Sequence, residues 1–236
     1  MDENLIPRAA PSELPWPAAV VFDMDGTLLD TERVSLVAWR ATEEATGFRM
    51  PEGFYETMIG QSEAGYRARL ADVMPPECDL DAFVREANDR YRRLLHESPV
   101  PQKKGLLALL DFLRAAAVPL AVATSTHRRM AEAKLNYADL TGRFAALVCG
   151  DEVADSKPHP EIFARAAAAL GAAPGCCLAI EDSANGVLSA TAAGIPTVLV
   201  PDIAPVPEEV RARATAVLPD LDAVREALDR AFIRSC

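Results

Sequence analysis

The chain has 236 residues, 50% of them hydrophobic and 25% charged. That mix belongs to a globular protein of one large domain or two small ones and excludes a disordered chain. Acidic residues outnumber basic ones 35 to 24, and the net charge of −11 repels phosphate backbones and anionic lipid, so neither a nucleic acid nor a membrane is an expected partner.

Residues 1–17 (MDENLIPRAAPSELPWP) are acidic and proline-rich and lack the basic and apolar regions of a signal peptide. They are expected to form a loosely ordered tail. Residues 18–22 (AAVVF) are a short apolar run that ends at Asp23 and a glycine turn at Gly26, which predicts a buried strand. Residues 31–100 break the pattern. Segments 31–47, 62–74 and 80–97 have helical periodicity, with Pro51, Gly53, Gly60 and Pro75-Pro76 between them, and no strand is expected there.

From residue 101 onward apolar runs alternate with helical segments. Strands are expected at 120–123, 146–149, 177–180 and 197–200, with a weaker one at 216–218. Helices are expected at 106–117, 128–137, 160–170, 184–193 and 222–233, with Pro160 in a first turn and Gly171 as a stop. Such alternation implies crossover units and a parallel sheet covered on both faces. The expected fold is therefore α/β: a Rossmann-like parallel-sheet core (18–30 and 101–236) with an inserted all-helical cap (31–100). No apolar run approaches the roughly 20 residues that span a bilayer. The five cysteines (78, 149, 176, 177 and 236) have no metal-ligand spacing, the adjacent pair reads as core, and reduced thiols in a cytoplasm are the simplest account.

In open α/β sheets ligands bind at the carboxyl ends of the strands, and polar residues gather there in this chain. The first strand ends in Asp23, Asp25 and Gly26; the second in Thr124, Ser125 and Thr126; the fourth in Glu181 and Asp182; and Lys157 lies in the loop after the third. Clustered carboxylates repel one another unless a cation neutralises them, and all-oxygen ligands select Mg²⁺ or a similar hard ion. A phosphate oxygen could bridge that ion, Lys157 and the Thr124 hydroxyl, with main-chain N–H groups beyond the strand ends as further donors. The set suits phosphoryl transfer, in which positioning and charge neutralisation dominate. Asp23, rigid at a strand tip, suits a nucleophile. Asp25, two residues on, suits a general acid and then base, and Gly26 permits a sharp turn.

The run Phe22–Thr27 (FDMDGT), continued through Leu28-Leu29-Asp30-Thr31-Glu32, resembles the first motif of the haloacid dehalogenase-like superfamily of phosphohydrolases. Thr124, the stretch Asp155-Ser156-Lys157-Pro158, and Glu181-Asp182-Ser183-Ala184-Asn185-Gly186 match the other three motifs in family order, covering roughly residues 18–229. The helical insertion resembles the cap of the β-phosphoglucomutase-like branch, which includes sugar-phosphate phosphatases.

The resemblance implies that Asp23 is the nucleophile and Asp25 the acid/base. Thr124 would bind the transferring phosphoryl, with Gly26, Ser125 and Thr126 beside it, and Lys157 would orient nucleophile and phosphate. Mg²⁺ would be held by Asp182, the Asp23 carboxylate and the Asp25 carbonyl, with Glu181 in support. Dehalogenases of the superfamily lack the second aspartate, which is present here as Asp25, and phosphonate-cleaving relatives use a cap lysine, whereas residues 31–100 contain none. Glu63, after Gly60-Gln61-Ser62, stands where a phosphomutase carries the arginine that holds a second phosphate. The expected function is Mg²⁺-dependent hydrolysis of a small phosphorylated metabolite, such as a sugar phosphate, by a cytoplasmic monomer or weak dimer. The alternatives are a sugar phosphomutase and an inactive binding protein of the same fold. The complete set of catalytic residue types argues against the last, because packing uncompensated carboxylates is costly.

Overall fold

A computed structural model of the chain describes residues 14–59, 61 and 63–235. The sheet has six parallel strands: β1 (Ala19–Phe22), β2 (Leu120–Thr124), β3 (Ala146–Cys149), β4 (Cys177–Glu181), β5 (Thr197–Leu199) and β6 (Ala216–Val217), in the spatial order β3-β2-β1-β4-β5-β6. In register, Val21 lies between Ala121 and Ala179. The chain works outward on one side of β1 and then returns to build the other side from β4. The strand order therefore reverses between β1 and β4, and the crevice beyond their carboxyl ends is the expected ligand site.

The two faces of the sheet differ in side-chain size. Val20, Phe22, Val122, Leu178 and Ile180 pack with Leu109, Leu110 and Leu113 of α4 (Leu106–Ala115), with Ala131 of α5 (Arg128–Tyr137) and with Leu228 of α9 (Leu221–Ser235). The opposite face is lined by Ala19, Val21, Ala121, Ala123 and Ala179. Small side chains there let α6 (Glu161–Ala169) lie close, through Ile162, Phe163, Ala166 and Ala167, next to α7 (Ala184–Ala192). Each large side chain buried this way contributes about 1.5–3 kcal/mol.

Residues between the linkers form α1 (Thr31–Thr46), α2 (Glu63–Val73) and α3 (Leu80–Glu97). They hold a separate apolar cluster in which Trp39 meets Tyr66 edge-on at 5.9 Å and Phe83 at 5.7 Å. Asp79 caps α3 by accepting from the Ala82 N–H at 2.9 Å, a contact worth about 1 kcal/mol. Gly60 and Ser62, part of the cap motif singled out above, lie outside the described residues. The linkers run side by side: Leu29 bridges Gln102 antiparallel, the Asp30 N–H donates to Pro101 O, and the Lys103 N–H donates to Leu28 O. Asp202, in the loop after β5, ties them to the core by accepting from Lys103 at 2.7 Å and Arg33 at 3.1 Å.

Some expectations are corrected. The expected tail is packed at residues 14–17: Leu14 is buried, and the Trp16 ring packs on Phe112 and Phe232, because this apolar pair covers the gap between α4 and α9. Residues 1–13 of the expected tail, and Cys236, lie outside the described residues. Of the adjacent cysteines, Cys176 is exposed in a short 3₁₀ turn and Cys177, the first residue of β4, is core. Pro160 caps α6 from outside its first turn. A short α8 (Glu208–Arg211), too brief to show periodicity, was not anticipated. Among the described residues no helix is long and apolar enough to cross a membrane.

Candidate active site

Asp23 is the first residue past β1. Its N–H donates to Ile180 O at 3.0 Å, so the sheet fixes its main chain while its side chain points out of the crevice floor. Lys157 reaches it from the loop before α6, with Nζ 2.5 Å from Asp23 Oδ1 and 2.7 Å from Glu181 Oε1. Its ammonium also sits 4.8 Å from the Phe163 ring centre. Burial opposes its charge, but the two carboxylates outweigh burial and keep Lys157 protonated.

Glu181 ends β4 and is fully buried. Its Oε2 accepts from the Asp182 N–H at 2.8 Å, the Ser183 N–H at 2.9 Å and the Ser183 hydroxyl at 3.0 Å. These donors fold the carboxylate onto the start of α7, where exposed N–H groups favour negative charge. The fold of this turn requires a glycine: a Cβ on Gly186 would occupy the space of the Glu181 carboxylate. Gly186→Ala is expected to displace Glu181 from Lys157, cost roughly 1–3 kcal/mol of stability and lower turnover. Thermal melting and activity of the purified variant check this; an unchanged melting point refutes it.

Asp182 accepts from the Thr27 hydroxyl at 3.0 Å. Gly26 makes room for it, turning the chain at φ 90° where a Cβ would run into the Asp182 carboxyl. Asp23, Glu181 and Asp182 bring one carboxylate oxygen each to within 4.8 Å of one another. Burial pushes the Asp23 carboxyl well up; Lys157 pulls it back, while Glu181 and Asp25 push it further. Burial, then Glu181 and Asp23, likewise raise Asp182. Lys157 pairs with two of these three buried carboxylates, and among the described residues Asp182 has no ion-pair partner, a charge deficit that a divalent cation would fill.

Asp25 has a different environment. Its Oδ1 accepts from Lys134 Nζ at 2.6 Å and the Thr31 hydroxyl at 2.5 Å, and its Oδ2 accepts from the Thr126 hydroxyl at 2.7 Å. Burial alone would raise its carboxyl, but Lys134 and the two hydroxyls reverse the effect and hold it low. Lys134 lies on α5, 4% exposed, under the Tyr91 ring at 5.3 Å. Sequence reasoning missed it. The available signal was a rare lysine in register with Ala131 and Leu135 on the buried stripe of α5.

The strand ends open into a cavity of about 660 Å³. Of the residues anticipated from sequence, Asp23, Asp25, Thr124, Ser125, Thr126, Lys157 and Asp182 line it. Glu181 and Gly26 stand behind that surface as supports. Thr124 accepts from the Thr126 N–H at 3.1 Å, and Thr126 bonds Asp25 rather than standing free for a phosphate. The wall opposite comes from α1–α3 and the loop after α1, including Glu32, Trp39, Tyr55, Glu63, Tyr66 and Tyr91.

This geometry has close counterparts. The chain is 33% identical over 177 residues to the phosphorylated carbohydrates phosphatase of Thermotoga maritima, covering 75% of this chain and 82% of that protein. It is 34% identical over 186 residues to the fructose-1-phosphate phosphatase YqaB of Escherichia coli, covering 77% and 95%. The crystal structure of CbbY from Rhodobacter sphaeroides in complex with phosphate superposes with a TM-score of 0.77 at 27% identity, covering 90% of this chain and 99% of that one. Residues 17–194 match the haloacid dehalogenase-like hydrolase family. With its six-stranded parallel sheet, its crevice between β1 and β4 and these relatives, the chain belongs to the haloacid dehalogenase-like hydrolases and is a phosphoric monoester hydrolase of their sugar-phosphate phosphatase branch.

Proposed function

We propose that the protein hydrolyses a small phosphorylated carbohydrate through a phosphoryl group carried on Asp23, with Mg²⁺ as cofactor. The observation that carries this reading is Asp23 itself: a carboxylate at the tip of the central strand, clamped by Lys157 and facing the cavity beside Asp182. Asp23, Asp182 and the Asp25 carbonyl would hold the ion, with Glu181 in support. When bound, Mg²⁺ supplies positive charge against the phosphoryl oxygens.

The chain's own residues do the rest. The Asp23 carboxylate attacks phosphorus, forming an aspartyl phosphate and breaking the bond to the sugar oxygen, which takes a proton from Asp25. Water then attacks the same phosphorus and loses its proton to Asp25, which releases inorganic phosphate and restores Asp23. Lys157 keeps the nucleophile in place, and the Thr124 hydroxyl faces the entering phosphoryl oxygens. Lys134 makes Asp25 a carboxylate at rest, the form needed to accept a proton from water. An entering phosphate adds negative charge nearby and raises the Asp25 carboxyl, favouring uptake of the proton the first step needs.

Names carried by the relatives support a carbohydrate phosphate as substrate. The phosphomutase alternative is not favoured, since those relatives are named as phosphatases. Phosphate release from sugar monophosphates is expected with Mg²⁺, absent with a chelator and restored when Mg²⁺ is returned. No release from any sugar phosphate under these conditions refutes the reading.

A further inference from the structure

The cavity has cations on its floor and acids on its opposite wall. Lys157 is committed to Asp23 and Glu181, and Lys134 to Asp25. Among the described residues the basic side chain on the cap wall is Arg92, exposed and bonded to Asp89 at 2.8 Å. The acids there are Glu32 and Glu63. Glu63 is solvated and lies 3.9 Å from Arg67, an exposed pair of little strength that Arg67 divides with Asp81. Glu32 is different. Its Oε2 accepts from the Tyr55 hydroxyl at 3.0 Å, and among the described residues no basic side chain lies within ion-pair distance of it. Burial, with Asp25 nearby, pushes its carboxyl up to about 7. Tyr55, Tyr66 and Tyr91 line the same wall, and aromatic rings attract cations.

We propose that this wall selects substrates by charge: it favours a phosphomonoester that carries an amine away from the phosphate and rejects one that carries a second phosphate or a carboxylate there, with Glu32 and Glu63 as the specificity-determining residues. The inference rests on the phosphatase reading and narrows its substrate class to phosphorylated amino sugars and amino alcohols. A second anionic group against this wall would meet two carboxylates and, among the described residues, one cation, Arg92, which is exposed and shared with Asp89, so little would replace its lost hydration. An ammonium would supply Glu32, which has no basic partner within ion-pair distance among the described residues, with a counterion.

The test compares kcat/KM for glucosamine 6-phosphate, glucose 6-phosphate and glucose 1,6-bisphosphate, with p-nitrophenyl phosphate as a reporter of basal hydrolysis. Glucosamine 6-phosphate is expected to exceed glucose 6-phosphate by roughly tenfold, as a charged hydrogen bond replaces a neutral one, and the bisphosphate is expected to be slowest. Glu32→Gln should bring the first ratio towards one. Glu63→Lys, at an exposed position, should raise the bisphosphate relative to the monophosphates. Hydrolysis of p-nitrophenyl phosphate together with equal rates for the two monophosphates, or with a preferred bisphosphate, overturns the charge proposal alone. No hydrolysis of p-nitrophenyl phosphate or of any sugar phosphate overturns the phosphatase reading and this proposal with it.

Discussion

Asp23→Asn is expected to reduce phosphate release by on the order of 10⁴-fold or more while leaving the fold intact, because it removes the attacking group and a carboxylate that would hold the metal but keeps the side chain's shape. The amide is isosteric with the carboxylate, and its oxygen can still accept from Lys157. Its neutral charge relieves repulsion with Glu181 and Asp182, so unfolding in urea should show stability equal to or above that of the parent. Acid-quenched reactions of the parent should carry a phosphoryl group on the peptide containing Asp23, and those of the variant should carry none. Activity above a hundredth of the parent's, or an unmodified peptide in a turning-over parent, would remove Asp23 as the nucleophile.

Lys134→Met should have the largest effect on stability. The apolar replacement fills similar space but leaves the Asp25 carboxylate buried beside two hydroxyls without its cation. Breaking one partner of such a pair costs about 3–5 kcal/mol. The pH dependence follows from the sign of the shift. Lys134 holds the folded-state Asp25 carboxyl below its usual value, so the contribution of the pair is present at neutral pH and fades as pH falls through that lowered value. The gap between parent and variant in urea unfolding should therefore be widest near neutrality and shrink in acid. Adding Asp25→Asn to Lys134→Met should recover most of the lost stability but no activity. A gap of under 1 kcal/mol at neutral pH would show that Lys134 does not hold Asp25.

What the sequence revealed and what it hid have the same origin. Buried parallel strands must be apolar on both faces, so Ala19–Phe22 and Cys177–Glu181 stand out as short runs, and the polar residues that follow them mark the catalytic edge without any structure. The cluster of Asp23, Glu181 and Asp182 was legible because carboxylates stand out at the ends of apolar strands, and Lys157 because lysine is rare in this chain. Lys134 was not. It reaches the site from one turn before the end of a helix, and only the folded crossover brings it to Asp25. Thr31 was hidden for a similar reason, since at the first position of a helix a threonine has an ordinary local explanation. The packing of Leu14 and Trp16 was obscured by the proline-rich composition around them, which describes local backbone preference and not the apolar surface waiting on α4 and α9.

The paired linkers have a consequence for how this enzyme folds and diversifies. Leu29 and Gln102 meet in an isolated antiparallel bridge, so the core sees everything between them as a loop whose ends are already joined. Each doubling of such a loop adds only about 0.6 kcal/mol of closure cost. The helical insertion can therefore grow, shrink or be exchanged almost without penalty to the sheet that carries Asp23. New substrates can then arise by replacing the cassette, while the reaction itself is inherited unchanged.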